Sequence, residues 1–489
     1  MPDIRALPSG EPRVSAEDTE TPQKLYESRE PIFPKRVKGT FRSLKWWIMG
    51  VTLGIYYLTP WIRWDRGPSL PDQAVLVDLA NRRFYFFMIE IWSHEFYFVA
   101  GLLIMAGLGL FLFTSALGRV WCGYACPQTV WTDLFMAVER WIEGDRNARI
   151  RLHRAKYDLT KLRLRLTKWT AWFLIALFTG GAWVFYFADA PTLLVDLVTL
   201  QAPFVAYSTI GVLTATTFVF GGFMREQVCI YACPWPRIQA AMMDPETLTV
   251  SYRDWRGEPR SHGKKRDAGE VHGDCIDCNA CVAVCPMGID IRDGQQLECI
   301  TCALCIDACD EIMEKIGKPR GLIDYCTLSD ETRERAGEER IPVWRHIVRV
   351  RTLLYTALWA AVGIGLVIAL FVRTDVDVSV SPIRNPVYVT LSDGTIRNAY
   401  DIRIRNKAAD DRQFRISIAS PDPVRVRLQG TETLFVTVPA NEIAIQRVYL
   451  EAPPTSDAAD RHVTDLRFWV EDVHGDSRTS VDTVFNGRN

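Results

Sequence analysis

The sequence has almost no net charge: 57 Lys and Arg stand against 58 Asp and Glu in 489 residues, leaving −1. So even a balance gives no reason to expect nucleic acid as a partner. A cleavable leader is also missing. Residues 1–34 are polar and rich in Pro and Glu, and they read as a disordered cytoplasmic N-terminus. Cysteine is absent before Cys122 and after Cys326, so all thirteen fall in the middle of the chain. The C-terminal part therefore has no cystine to hold it together.

What is present is strongly segregated. Five apolar runs, at about 44–61, 96–117, 169–188, 205–224 and 353–372, carry no charge in their central parts apart from Lys45 near the border of the first. A bilayer core of ~30 Å needs about 20 apolar residues per helix, so these read as five transmembrane helices. Trp46, Trp47, Trp61, Trp64, Trp121 and Trp169 lie near the borders, as an aromatic belt would. Lys35, Arg36, Lys38 and Arg42 precede the first run, and a dense series from Arg119 to Lys168 separates the second from the third. Between the third and fourth runs lie Asp189 and Asp196 and no Lys or Arg. The positive-inside rule then puts the N-terminus, that basic loop and the segment 225–352 in the cytoplasm, and the C-terminal part outside. All cysteines fall on the reducing side, which favours metal ligation over disulfides.

Eight of them form two matching blocks. Cys275, Cys278, Cys281 and Cys285 are followed by Pro286; Cys299, Cys302, Cys305 and Cys309 repeat the spacing, with Asp310 in the proline's place. This is the bacterial ferredoxin pattern, in which three close cysteines and a fourth from the other block hold each [4Fe–4S] cluster. One cluster is assigned to Cys275, Cys278, Cys281 and Cys309, the other to Cys299, Cys302, Cys305 and Cys285. Zinc ribbons space their cysteine pairs differently.

Four more cysteines make an internal repeat: Cys122-Gly-Tyr-Ala-Cys126-Pro127 and Cys229-Ile-Tyr-Ala-Cys233-Pro234. Each follows an apolar run, so helices one–two and three–four read as duplicated hairpins. Residues four apart share a helix face, and the proline pushes the preceding cysteine out of α geometry. An amphipathic helix is expected after Pro127, through Val130, Leu134, Phe135, Val138, Trp141 and Ile142. The four thiols admit three readings: a thiol–disulfide relay, a soft-metal site favouring Cu(I), or packing at a helix interface. Cys326 reads as structural and His272 as a surface group. His94 and Glu95, at the outer mouth of the second helix, read as an interfacial pair, with proton or quinone chemistry as the alternative.

Beyond residue 373 the period changes to two: Tyr400, Ile402 and Ile404; Phe414, Ile416 and Ile418; Val424, Val426 and Leu428; Leu434, Val436 and Val438; Leu466, Phe468 and Val470. This describes an antiparallel, immunoglobulin-like β-sandwich. It carries no catalytic constellation, and His462 and His474 read as isolated surface groups. The domains expected are 35–250 (four membrane helices with the paired cysteines), 251–350 (a cytoplasmic two-cluster ferredoxin-like domain), 351–373 (a fifth span) and 374–489 (a periplasmic sandwich).

The helix order, the two paired-cysteine motifs, the segment from Gly273 to Cys281 and the sandwich tail together resemble the FixG/RdxA/CcoG family, accessory proteins of cbb3-type cytochrome c oxidase. Arg119-Val120-Trp121-Cys122 and Arg256-Gly257-Glu258-Pro259-Arg260 share that likeness. The resemblance implies a bacterial inner-membrane protein acting in oxidase maturation. It also implies reduction of Cu(II) to Cu(I), with Cys122, Cys126, Cys229 and Cys233 as the candidate copper site. Implied partners are the lipid bilayer, oxidase subunits, a copper chaperone or transporter, and an unidentified electron donor. The alternatives are an electron-transfer subunit of a quinol-linked membrane oxidoreductase and a non-catalytic redox-sensing scaffold.

Overall fold

The computed structural model describes residues 31–67, 70–261, 272–373, 376–408, 410–475 and 477–488. The expected disorder of 1–34 thus falls mostly outside the described residues. Residues 31–39 form an extended strap laid on the cysteine-rich domain: Lys35 N donates to Ala283 O at 2.7 Å and Val37 is buried.

Five long helices form where the apolar runs predict them. Helix α1 (Thr40–Leu58) ends in a 3₁₀ turn at Pro60. A three-stranded meander, β1 (Val75–Asp78), β2 (Arg83–Phe86) and β3 (Ile89–Trp92), leads into α2 (Tyr97–Leu117). Short α3 (Val120–Tyr124) and α4 (Pro127–Glu143) follow, then α5 (Arg146–Arg154) and α6 (Leu159–Val184). After α7 (Ala190–Val198), helix α8 (Phe204–Thr217) continues as π-helix over Phe218–Met224 and again over Val228–Ala232, before α9 (Trp235–Met242). Among the described residues, three helical segments are long and apolar enough to cross a membrane: Tyr97–Leu117, Phe204–Met224 and Val350–Phe371.

Helix α6 starts ten residues before its apolar run, because Asp158 caps it by accepting from Lys161 N at 2.7 Å. Its charged first half then meets α4. There the expected apolar stripe is corrected: Trp141 is 86% exposed, whereas Asp133, Glu139 and Glu143 point inward. The reason is counter-charge. Asp133 pairs with Arg42 at 2.8 Å, Glu139 with Arg149 and Arg225 at 3.0 Å, and Glu143 with Lys168 at 2.8 Å. Buried charges persist only when paired in this way. Burial would raise the Glu139 pKa, but Arg225, Lys168 and Arg149 outweigh it and hold the carboxyl at about 2.

The cysteine-rich domain is inserted between α9 and the last long helix. It comprises β4 (Thr249–Tyr252), α10 (Asp254–Gly257), α11 (Ala280–Val284), α12 (Leu304–Lys315), β5 (Ile323–Cys326), α13 (Leu328–Arg335) and α14 (Val343–Ile347). Strands β4 and β5 pair antiparallel beside the cysteine loops. Asp307 of α12 accepts from Phe41 N and Arg42 N at 3.2 and 2.7 Å, so this domain supplies the N-terminal cap of α1.

Helix α15 (Val350–Phe371) packs along α2 and leads into the sandwich. One sheet runs β10 (Arg425–Leu428), β12 (Ile443–Ala452), β8 (Ile396–Asn406), β6 (Val376–Pro382), with β7 (Val389–Thr390) also on β8. The other runs β11 (Phe435–Val438), β9 (Arg412–Ala419), β13 (Val463–Asp472), β14 (Arg478–Asn486). Tyr400, Ile402, Ile404, Phe414, Ile416 and Phe468 are fully buried between the sheets, as their alternation predicts. Glu95 fixes the sandwich to the start of α2. It is 2% exposed and meets Lys407 at 2.9 Å and Arg373 at 3.0 Å.

Candidate functional site: two cysteine centres in contact

The eight-cysteine loops share one backbone conformation. Asp277 and Asn279 in the first loop, and Thr301 and Ala303 in the second, all have positive φ, between 51° and 59°. None is glycine, so each left-handed residue is strained, and such strain persists where the surroundings impose it. It curls the loop so that successive thiols face one centre. Tyr325 Oη and Tyr124 Oη donate to Thr301 O and Cys302 O at 3.0 and 3.2 Å and tie down the second loop.

The loops bring the cysteines together in two sets. Cys275, Cys278 and Cys281 each act electrostatically on Cys309, and Cys302, Cys299 and Cys285 act on Cys305, with Cys281 of the other set a smaller fourth influence. A small internal cavity is lined by Cys285, Cys299, Cys302 and Cys305, by Cys281 of the other set, and by Ile289, Ile300 and Leu304. Burial pushes the Cys309 and Cys285 thiols up to about 12. Thiols buried this way resist ionisation alone and become thiolates when metal neutralises them. No three His, Cys, Asp or Glu side chains among the described residues are close enough to hold a single metal ion. A soft, all-sulfur donor set spread around a cavity fits a cubane cluster better than one ion.

The paired motifs converge from two distant hairpins. Cys122 lies in α3, Cys126 precedes α4, Cys229 lies in the π-helical turn, and Cys233 follows it. Cys126 and Cys233 have ψ of 128° and 121°, the extended geometry a following proline imposes. All four line one cavity of about 690 Å³, beside α2 and Trp359 of α15. Burial pushes Cys122 up to about 11, opposed by Arg119, and Cys229 up to about 12 with Cys126, Cys122 and Cys233 adding to the rise. Fully buried Gln239 accepts from Cys122 Sγ at 3.1 Å and donates to Thr114 Oγ1 at 3.2 Å, which fixes this thiol's direction.

The two centres touch. Gly123, between the first pair, packs so closely on the second cluster loop that a Cβ there would lie 2.7 Å from Ile300 O and 3.0 Å from Cys302 Cα. Ile300 itself lines both cavities. Arg119 is buried between them and donates to Leu297 O. The roles of Gly123 and Gln239 were not visible in the motif spacing, whereas Arg119, three residues before Cys122, is a charge whose pull toward the thiolate the sequence itself suggests.

The remaining candidates stay apart from both centres. Cys326 is 1% exposed, with its Sγ 3.4 Å from Thr327 O, a packing role. His462 and His474 are exposed on the sandwich. Glu95 is an anchor, bound to Trp92 N, Lys407 and Arg373. His94 lies in the short 3₁₀ turn Ser93–Glu95.

Comparison with known proteins agrees with this division. A 4Fe–4S dicluster domain matches residues 224–328, a 4Fe–4S binding domain matches 98–147, and the "IG-like fold at C-terminal of FixG, putative oxidoreductase" matches 366–488. The chain is thus an iron–sulfur protein with an immunoglobulin-like C-terminal domain. Protein RdxB of Cereibacter sphaeroides is 68% identical over 97% of this chain and 100% of its own length. Protein RdxA of the same organism is 64% identical, covering 93% and 96%. The nitrogen fixation protein FixG of Rhizobium meliloti is 57% identical over 88% of each. With near-complete coverage at such identities, the chain belongs to the family of FixG, RdxA and RdxB.

Proposed function

We propose that this protein is a membrane-bound cupric reductase, carrying electrons from the cytoplasmic side to copper at the four-cysteine cavity during assembly of a cbb3-type oxidase. The observation that carries the reading is the close packing of Gly123 on Ile300 and Cys302, which sets the first cysteine pair directly against the second cluster loop. Cys275, Cys278, Cys281 and Cys309 would hold one [4Fe–4S] cluster, and Cys299, Cys302, Cys305 and Cys285 the other. When bound, such clusters supply one-electron transfer at tunable potential.

The chain's own residues do the rest. Thr301, Cys302, Tyr124 and Tyr325 lock the second loop against α3. Cu(II) entering the cavity gains one electron and becomes Cu(I), a soft ion that two thiolates drawn from Cys122, Cys126, Cys229 and Cys233 are enough to retain. Gln239 orients Cys122, and Arg119 offsets the negative charge that accumulates as thiols become thiolates. Helices α1, α2, α6, α8 and α15 make five spans in this reading. The N-terminus and cluster domain are cytoplasmic and the sandwich periplasmic, where it docks oxidase subunits or a copper-delivering partner. The oxidase assignment rests on the family resemblance.

The test is anaerobic Cu(II) reduction by the purified, reduced protein, followed with a Cu(I)-specific chelator. Cys→Ser at positions 122, 126, 229 and 233 together is expected to leave iron content intact and abolish Cu(I) retention. Unchanged copper retention in that variant would remove the thiol site from the reading.

A further inference from the structure

The first cysteine loop holds a buried cation of its own. Arg292 lies in the 3₁₀ turn Ile291–Asp293, and Ile291 beside it is 3% exposed in the core of the cysteine-rich domain. The Arg292 side chain is 5% exposed, and all three of its nitrogens donate. Nη1 meets Asp277 Oδ1 at 2.5 Å, Nε meets Asp290 Oδ1 at 2.8 Å, and Nη2 meets Asp290 Oδ2 at 2.6 Å and also Asn279 Oδ1. Asp277 and Asn279 flank Cys278 and are the two left-handed residues of that loop. A guanidinium presents its donors as a rigid planar fork, so one side chain pins both strained residues at once. In the second loop Ala303 offers no side-chain acceptor, and the tyrosine hydroxyls on Thr301 O and Cys302 O take that part instead.

The same fork places charge beside the first set of cysteines. Burial pushes the Cys281 thiol up to about 11; Arg292 opposes that rise and Asp290 adds to it, so both groups lie within electrostatic reach of this sulfur. Other cations near the loop are wetter. The side chains of Arg256 and Lys318, both paired with Asp274, are each 21% exposed, and Arg260, paired with Glu258, is 29% exposed. A buried charge is screened less than an exposed one. Reducing a cluster adds one negative charge to it, and the charges and hydrogen bonds around its sulfurs set its potential. We propose that Arg292 is a positioning residue for the cluster held by Cys275, Cys278, Cys281 and Cys309. It fixes the curl from Asp277 to Asn279, and its positive charge raises that cluster's reduction potential, so that the cluster accepts an electron more readily. The inference rests on the reading of those four cysteines as the ligands of one cluster.

The experiment is an anaerobic redox titration of the iron-loaded, full-length protein with dithionite and mediator dyes. Each reduced cluster is followed by its electron paramagnetic resonance signal, and iron content verifies that both clusters are present. Arg292→Gln removes the cation and leaves Asp277 and Asp290 beside the sulfurs. At the wild-type midpoint the ratio of reduced to oxidised form should fall about tenfold in one cluster, a shift of about 59 mV for one electron, with the other cluster unmoved. Arg292→Lys keeps the charge without the fork, so its midpoint should stay near wild type while a chelator strips its iron faster. Asp290→Asn removes an anion and should move the same midpoint in the opposite direction to Arg292→Gln. A purely structural role would not produce shifts of opposite sign. Unchanged midpoints in iron-replete Arg292→Gln, or shifts of the same sign in Arg292→Gln and Asp290→Asn, would overturn the proposal. Where Arg292→Gln loses the first cluster, Asp290→Asn decides: a raised midpoint supports the proposal and an unmoved one overturns it. Iron for fewer than two clusters in the wild type overturns the ligand reading, and this inference with it. Two clusters indifferent to all three variants overturn the inference alone.

Discussion

The two cysteine centres are built on opposite plans. The eight-cysteine loops come from one continuous stretch, are wrapped by α11, α12 and the β4–β5 pair, and enclose only a small cavity lined by their own sulfurs. The four-cysteine site is assembled from helix ends more than a hundred residues apart and opens into a wide apolar space. The first plan suits a resident group that never leaves. The second suits something that arrives and departs, because its thiols sit at breaks between helices with room beside them. In the proposed reading, the first centre passes electrons and the second handles the ion that receives them.

Removing a thiol from each centre should break the comparison most sharply. Cys309→Ser takes the fourth ligand from one set only, so about half of the iron should be lost, with copper retention unchanged. Iron quantitation together with Cu(I) titration would decide this. If all iron vanished, the two sets would be interdependent rather than separate.

The contact between the centres comes next. Gly123→Val places a branched side chain where even a Cβ lies 2.7 Å from Ile300 O. Overpacking of this kind costs about 1–3 kcal/mol. Thermal unfolding should move down, and Cu(II) reduction should slow while iron content stays near wild type. Reduction at the wild-type rate would show that Gly123 serves packing alone.

A subtler difference lies in thiol ionisation. Burial holds Cys122 near a pKa of about 11 against the pull of Arg119, so its thiolate is a small minority at neutral pH. In copper-free protein, alkylation of Cys122 should rise about tenfold per pH unit between pH 7 and 10. Arg119→Gln removes the opposing charge, raises the pKa further, and slows alkylation at any given pH. Peptide mass spectrometry with iodoacetamide checks both; a flat profile would mean that ionisation does not limit this thiol. The smallest effect is expected at Cys326, which belongs to neither centre. Cys326→Ala should change neither iron nor copper and cost about 1 kcal/mol of stability, measured by thermal unfolding.

Much of this was legible in the sequence for a physical reason: ligand spacing and strand alternation are local. Cys275 to Cys309 declare their chemistry by separation alone, and Tyr400, Ile402 and Ile404 declare a buried face by period. The immunoglobulin-like domain and the pre-proline geometry of Cys126 and Cys233 follow from rules that span a few residues. Features set by distant partners were not legible. The left-handed Asp277, Asn279, Thr301 and Ala303 carry no glycine to mark them. The inward turn of Asp133, Glu139 and Glu143 depends on Arg42, Arg149, Lys168 and Arg225, which come from α1, α5, α6 and the segment after α8. Strands β1–β3 are only four residues each, too short for a period-two signal to stand out. The early start of α6 did have a local signal, the cap at Asp158.

The bond from Asp307 to the start of α1 has a consequence for how the protein is made. The backbone N–H of Arg42 waits for a carboxylate 265 residues further along the chain. During synthesis, therefore, the first long helix emerges with its opening turn unsatisfied and stays so until the cysteine-rich domain has folded beside it. Since α12 also carries Cys305 and Cys309, the helix that would receive iron in the proposed reading is the one that caps α1, and in that reading cluster loading and closure of the first turn of α1 are coupled.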